Sequence, residues 1–199
     1  RAAHAHAPAR APAPVGVRPH ARRAGRRAAR ARPVSNNTRA MAAMEWCDNS
    51  AMVEVKGVPL KHCWGMWEDR EGITAWMPWV KSIKVSPDDP TLSEWVLEQE
   101  FAGQPFRFSW TSRDLKPLKN QKIHWRSESG LVNKGAVRFF GRGGEGCAVQ
   151  MTISYEIPEV LKPFGDGAVR PVVESIIQAD LERFARMAEE SYAAAGGEA

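Results

Sequence analysis

The chain is 199 residues long and 43% apolar, with 28 Lys and Arg, 23 Asp and Glu and three Cys, which suits one folded domain with a tail. The charge is segregated: residues 1–40 hold ten arginines and no acid, so residues 41–199 carry 18 basic against 23 acidic side chains. An acidic domain lacks the clustered cations on which phosphate-backbone binding depends, and no nucleic-acid partner is expected.

Residues 1–33 are mostly Ala, Arg, Pro and His. Pro8, Pro12, Pro14, Pro19 and Pro33 interrupt any helix, and little in the segment is bulky enough to bury. No apolar run reaches the length of a secretory h-region or a membrane span. Residues 1–43 therefore read as a disordered organelle transit peptide, removed between Ser35 and Ala43; a basic arm that stays attached is the alternative. Frequent Pro opposes the amphipathic helix of a mitochondrial presequence, whereas scarce Ser and Thr oppose a typical plastid one. The chloroplast is the expected compartment, with the mitochondrion as the alternative. Without a secretory signal the sequon Asn36-Asn37-Thr38 should meet no transferase.

The domain is expected over residues 50–192. Residues 51–55, Ala-Met-Val-Glu-Val, read as a strand ended by Gly57 and Pro59. Leu60, Cys63, Trp64 and Trp67 recur at helical spacing, and a second short helical turn runs from Gly72 through Trp76 to Pro78. The period then becomes two: residues 80–86, 93–101, 105–112, 122–127, 136–140 and 147–157 read as six antiparallel strands with short links. Trp95, Leu97 and Phe101 share one face of their strand, as do Phe106, Phe108 and Trp110 in theirs and Val149, Met151, Ile153 and Tyr155 in theirs.

A long helix begins near Pro171, with Val173, Ile177, Leu181, Phe184 and Ala188 forming an apolar stripe of period near 3.6. Residues 193–199 are expected to form a flexible tail. The sum is an α+β fold: a seven-stranded curved antiparallel sheet wrapped around a long C-terminal helix, with two short helices after the first strand. Such a sheet presents more concave apolar surface than one helix can cover, so a cavity between them is expected.

Several segments together resemble a known family: Trp-Met-Pro-Trp-Val at 76–80, Phe-Ser-Trp-Thr-Ser at 108–112, Ile-His-Trp-Arg-Ser-Glu-Ser-Gly at 123–130, Asn-Lys-Gly-Ala-Val-Arg-Phe at 133–139, Ser-Tyr-Glu-Ile-Pro at 154–158 and Asp-Leu-Glu-Arg-Phe at 180–184. Their order resembles the polyketide cyclase/dehydrase group of the START-like (SRPBCC, helix-grip, Bet v 1-like) superfamily, a branch that also includes coenzyme Q-binding proteins. The resemblance implies a deep pocket for lipids, quinones, polyketides or similar molecules between helix and sheet. It implies no shared catalytic residue, and fold alone does not supply function.

The aromatic population is dense enough to line a ligand chamber. Trp76, Trp79, Trp95, Phe106, Phe108 and Trp110 are candidate ligand-binding residues, with Trp125, Phe139, Tyr155, Ile177 and Phe184; ordinary core packing is the competing reading for each. His124, Arg126 and Glu128 alternate on the face opposite Ile123 and Trp125. They read as a solvated row, with His124 a weak candidate acid or base and no catalytic residue assigned. Asp180 and Arg183 read as a surface ion pair, or as an anchor for a polar head inside the cavity.

Arg113, Lys116, Lys119 and Lys122 form a basic loop suited to peripheral contact with an anionic membrane surface. Residues 141–146 match the letters of the dinucleotide fingerprint, but a strand follows them where a helix is needed, so they read as a hairpin turn. No CxxC spacing is present, and neither a metal nor a cofactor is expected.

The leading expectation is a soluble organellar protein that binds or carries a hydrophobic small molecule, such as a lipid, quinone or isoprenoid. The alternatives are a cyclase or dehydratase acting in the same cavity, and a non-catalytic assembly or scaffold factor. The oligomeric state is left open.

Overall fold

The computed structural model describes residues 46–196; the expected leader 1–43 and the end of the tail, 197–199, lie outside the described residues. Seven strands form one antiparallel sheet. They are β1 (Trp46–Lys56), β2 (Val80–Val85), β3 (Leu92–Phe101), β4 (Gln104–Asp114), β5 (Lys122–Gly130), β6 (Asn133–Gly141) and β7 (Gly146–Glu156). Their order across the sheet is β1-β7-β6-β5-β4-β3-β2. Successive hairpins link β2 to β7, and β1 closes the far edge against β7. Helix α1 (Leu60–Glu68) and a 3-10 turn (Glu71–Ala75) carry the chain from one edge to the other, and α2 (Asp166–Ala194) lies across the concave face.

β1 starts at Trp46, five residues before the strand expected at 51–55. A polar residue at an inward position, Asn49, hides the alternation. It is buried, its amide donates to the Arg170 carbonyl at 3.2 Å, and its carbonyl oxygen accepts from the Tyr155 hydroxyl at 3.1 Å. Both halves of the amide are satisfied, so the strand continues through it.

α2 starts at Asp166, more than a turn before Pro171. The proline lacks an N–H for the ladder, but Val169, two residues earlier and one turn before Val173, is buried and extends the apolar stripe. Packing of Val169 therefore overrides the local cost of the ring.

Registers match the expected faces. Trp95 pairs with Trp110, Leu97 with Phe108 and Gln99 with Phe106; Ile123 pairs with Val137 and Trp125 with Gly135; Asn133 pairs with Tyr155. Two glycines are sterically required. At Gly130, where φ is +77°, a Cβ would meet the Ser109 carbonyl oxygen at 2.2 Å, and at Gly135 it would meet the Trp125 ring at 2.4 Å. The segment 141–146 is the β6–β7 turn, as expected, with a short 3-10 piece at Gly143–Glu145.

The space between sheet and helix is packed at one end. Trp67, Trp76 and Phe184 form a mutual aromatic cluster with ring centroids 5.4–5.6 Å apart. Trp64 meets Phe139 edge-on at 5.2 Å. Cys63 on α1 and Cys147 on β7 are fully buried, with sulfurs 3.1 Å apart, and Cys47 is also buried.

Candidate functional site

Beyond this packed end the interface opens. Between the concave face and the first half of α2 lies a hollow of about 180 Å³. One water needs roughly 10–15 Å³, so this is more than a packing defect.

Each element supplies one part of the wall. β3 contributes Trp95, Leu97, Gln99 and Phe101, and β4 contributes Phe106, Phe108 and Trp110. The middle of the sheet adds Ile123, Trp125, Val137, Met151, Ile153 and Tyr155. The helix face opposite is Val169, Val172, Val173, Ile176 and Ile177, and Trp67, Ile73, Met77 and Trp79 close the end near α1. Period-two side chains from the sheet thus converge on one helical stripe. Trp95 stacks on Trp110 with centroids 5.5 Å apart and planes 19° apart, making a flat wall, and Gly135 leaves room for the Trp125 ring beside it.

Eight of the eleven expected ligand-binding residues line this hollow: Trp79, Trp95, Phe106, Phe108, Trp110, Trp125, Tyr155 and Ile177. Trp76, Phe139 and Phe184 do not. They are 3%, 5% and 0% exposed in the solid core, where α1 and the 3-10 turn fill the space that the helix alone would leave. His124 lies on the opposite, convex side of β5, with its Nε2 3.1 Å from the Lys116 carbonyl, and does not reach the cavity.

The polar groups of the wall are largely paired with one another. Arg70 forms an ion pair with Asp114 at 3.3 Å, reaches Ser93 Oγ at 3.4 Å and donates to the Pro90 carbonyl. Trp95 Nε1 also donates to Ser93 Oγ, at 2.9 Å. Trp125 Nε1 donates to Asn133 Oδ1 at 3.0 Å. Burial raises the Asp114 carboxyl above its ordinary pKa, against the downward pull of Arg70 and, more weakly, His124. The indole N–H groups of Trp67 and Trp110, both wall residues, have no acceptor among the described protein groups.

Arg70, Asp114 and Asn133 were not among the expected site residues. Asp114 had a signal: residues 106, 108, 110, 112 and 114 alternate onto one face of β4, so the apolar run points inward as far as the carboxylate. Arg70 had none, because only the path of the chain after α1 brings it there.

Asp180 differs from both sequence readings. It is fully buried, accepts from Trp79 Nε1 and from Arg183 Nη2, and lies behind the cavity wall, not in it. Burial pushes its carboxyl up to about 6, while the hydrogen bonds from Trp79 and Arg183 pull the other way. Arg113 is not free to meet a membrane either: it is clamped between Asp89, at 2.9 Å, and Glu128. Lys116 and Lys119 remain exposed in their loop. Among the described residues no helix is long and apolar enough to cross a membrane, and no cluster of three His, Cys, Asp or Glu is placed to hold a metal ion.

Comparison with known proteins agrees with this geometry. No curated protein matches the chain significantly. Among solved structures, the Zhui aromatase/cyclase from Streptomyces sp. R1128 superposes with a TM-score of 0.61 at 21% identity, over 77% of this chain and 100% of its own. A protein of Thermus thermophilus superposes at 0.60 and 15% identity, over 73% and 99%. A protein of Deinococcus radiodurans gives 0.55 and 24% identity, over 73% and 98%. At these identities the likeness is one of fold, the helix-grip arrangement of sheet and long helix. Residues 57–185 match the family model described as polyketide cyclase / dehydrase and lipid transport, and on that match, which spans most of the chain, the protein belongs to this family.

Proposed function

We propose that the protein binds and carries a hydrophobic small molecule in the cavity between its sheet and α2. The observation that carries this reading is the wall itself, which is apolar and aromatic on every side, with its few polar groups mostly tied to one another. Transfer of apolar ligand surface from water gains about 25 cal/mol per Å², so an enclosed ligand needs only one or two oriented polar contacts. The expected classes, a lipid, a quinone or an isoprenoid, all present such apolar surface.

The compartment we place it in is the plastid, from the composition of the leader. Exposed Lys116 and Lys119 are the residues of the basic loop that would touch an anionic membrane surface. The test is organic extraction and mass spectrometry of protein purified from its own organelle, alongside titration of the recombinant protein with the uncharged fluorescent probe N-phenyl-1-naphthylamine. A co-purified apolar compound and saturable probe binding are expected. An empty extract with no probe binding would overturn the reading.

One observation favours a second reading, a cyclase or dehydratase. Asp114, its proton affinity raised by burial, sits beside the Arg70 guanidinium in the cavity wall. Such a pair can hold a substrate carbonyl and move a proton. In that case Asp114→Asn abolishes turnover of a polyketide-like substrate while probe binding persists; a carrier shows no turnover to lose.

A further inference from the structure

The cavity has a neighbour. On the outer side of Trp79 an open groove runs between the β3–β4 hairpin and α2, and Trp79, Gln99, Phe106 and Ile176 line both spaces. Only this thin layer of side chains separates inner cavity from outer groove.

Within that layer Gln99 Nε2 donates to the adjacent Glu100 carbonyl at 3.2 Å, whereas the Trp79 ring is bonded across to α2. Trp79 lies in the turn immediately before β2, the edge strand of the sheet, where its carbonyl accepts from Glu98 N–H at 2.9 Å, and the β2–β3 register shifts between Val80 and Ser82 just after it. An edge position beside a bulge has fewer ladder bonds to hold it than an interior strand. What holds the ring is α2: Trp79 Nε1 donates to the buried carboxylate of Asp180, whose other oxygen takes Arg183 Nη2. Arg183 Nε in turn donates to the Trp76 carbonyl at 2.9 Å, tying the same short segment from a second point.

Asp180 occupies a position beside Leu181 and Phe184 where an apolar residue would pack without desolvating a charge. A buried carboxylate is costly unless its oxygens are matched, and those of Asp180 are matched to Arg183 and to the position of one indole.

We propose that Trp79 is the door through which an apolar ligand passes from the outer groove into the inner cavity, and that Asp180 is its latch. This rests on the reading that the inner cavity takes such a ligand. Arg107 and Arg183 balance Glu98 and Glu100 in the groove lining, with Arg107 3.0 Å from Glu98, so the groove admits an uncharged molecule without repelling it. The tip of the β3–β4 hairpin is a competing entrance. There Phe101 on β3 meets Phe164, in the 3-10 turn before α2, edge-on at 5.0 Å.

Stopped-flow exchange of N-phenyl-1-naphthylamine separates the two routes. Asp180→Asn removes the charge of the latch at nearly constant shape, and Trp79→Phe removes the N–H but keeps a ring. Each should raise both association and dissociation rates by about tenfold, a barrier lowered by about 1.4 kcal/mol. The equilibrium affinity of Asp180→Asn should stay within about threefold of wild type, because a door alters the path and not the bound state. Phe164→Ala should change the rates less than about twofold on the same scale.

Unchanged rates in Asp180→Asn and Trp79→Phe, or acceleration by Phe164→Ala alone, would overturn the door while leaving the cavity reading intact. If wild-type protein binds no probe, the cavity reading falls and the door with it. Trp79→Phe keeps the test decisive if Asp180→Asn does not fold.

Discussion

The two halves of α2 meet the same sheet with different results. From Asp180 to Ala188 the helix packs solidly, because α1 and the 3-10 turn insert Trp64, Trp67 and Trp76 beneath it. From Val169 to Ile177 no third layer intervenes, and the helix faces Phe106, Phe108, Trp110 and Ile153 across open space. Both halves carry similar apolar residues at the same period, so the helical stripe does not decide which half is hollow. The connection between β1 and β2 decides it, by reaching only one end of the groove.

This contrast predicts unequal costs for the same chemical change. Phe184→Ala, in the solid half, removes a fully buried ring packed on two tryptophans, and should cost about 3–5 kcal/mol in urea denaturation. Phe108→Ala, in the hollow half, removes a ring that is only partly buried and already borders a void, so fewer contacts are lost. Its cost should be less than half as large on the same scale, while probe affinity falls. Equal destabilisation by the two substitutions would mean that the hollow half is as tightly packed as the other.

Asp180 sits at the seam between the halves, and its titration reads how dry that seam is. Folding raises its pKa from 3.8 to about 6. Between those values the folded protein keeps a proton that the unfolded chain has released, so stability falls as pH rises through this window and levels off above it. Asp180→Asn abolishes that contribution. From pH 4 to pH 7 the stability of the variant relative to wild type should therefore improve by about 2 kcal/mol. Parallel pH profiles in urea denaturation would show that the carboxylate is hydrated in the folded state.

The sheet, its concave face and most of the cavity wall were legible because period two survives in β3, β4 and β7, and the helical stripe survives in α2. Legibility failed where a long-range contact overrides a local rule. Asn49 is tolerated inside β1 only because Tyr155 and the Arg170 carbonyl complete it. Trp76, Phe139 and Phe184 are aromatics of the same kind as Trp95 and Phe108, and no local pattern tells a lining ring from a core ring. That distinction depends on where α1 docks. Arg70 joins Asp114 across 44 residues of chain, and the Asp180 latch joins Trp79 across 101; neither pair leaves a periodic trace.

The finest test of the hollow half is Gly135→Ala. The new Cβ would lie 2.4 Å from Trp125 Cζ2 and 2.7 Å from the Thr152 carbonyl oxygen. The carbonyl belongs to the β7 backbone and yields little, but the indole borders the cavity and can move into it. The stability cost should fall in the overpacking range, about 1–3 kcal/mol, because the β7 carbonyl cannot yield as the ring can. Probe affinity, in contrast, should fall about tenfold as Trp125 occupies ligand space and strains its bond to Asn133. Trp125→Phe removes the clashing atoms, so a double-mutant cycle should show Gly135→Ala to be nearly silent for binding in the Trp125→Phe background. If the loss persists there, the backbone contact at Thr152 dominates, and the shape of the cavity is set by the β6–β7 ladder and not by the ring that Gly135 accommodates.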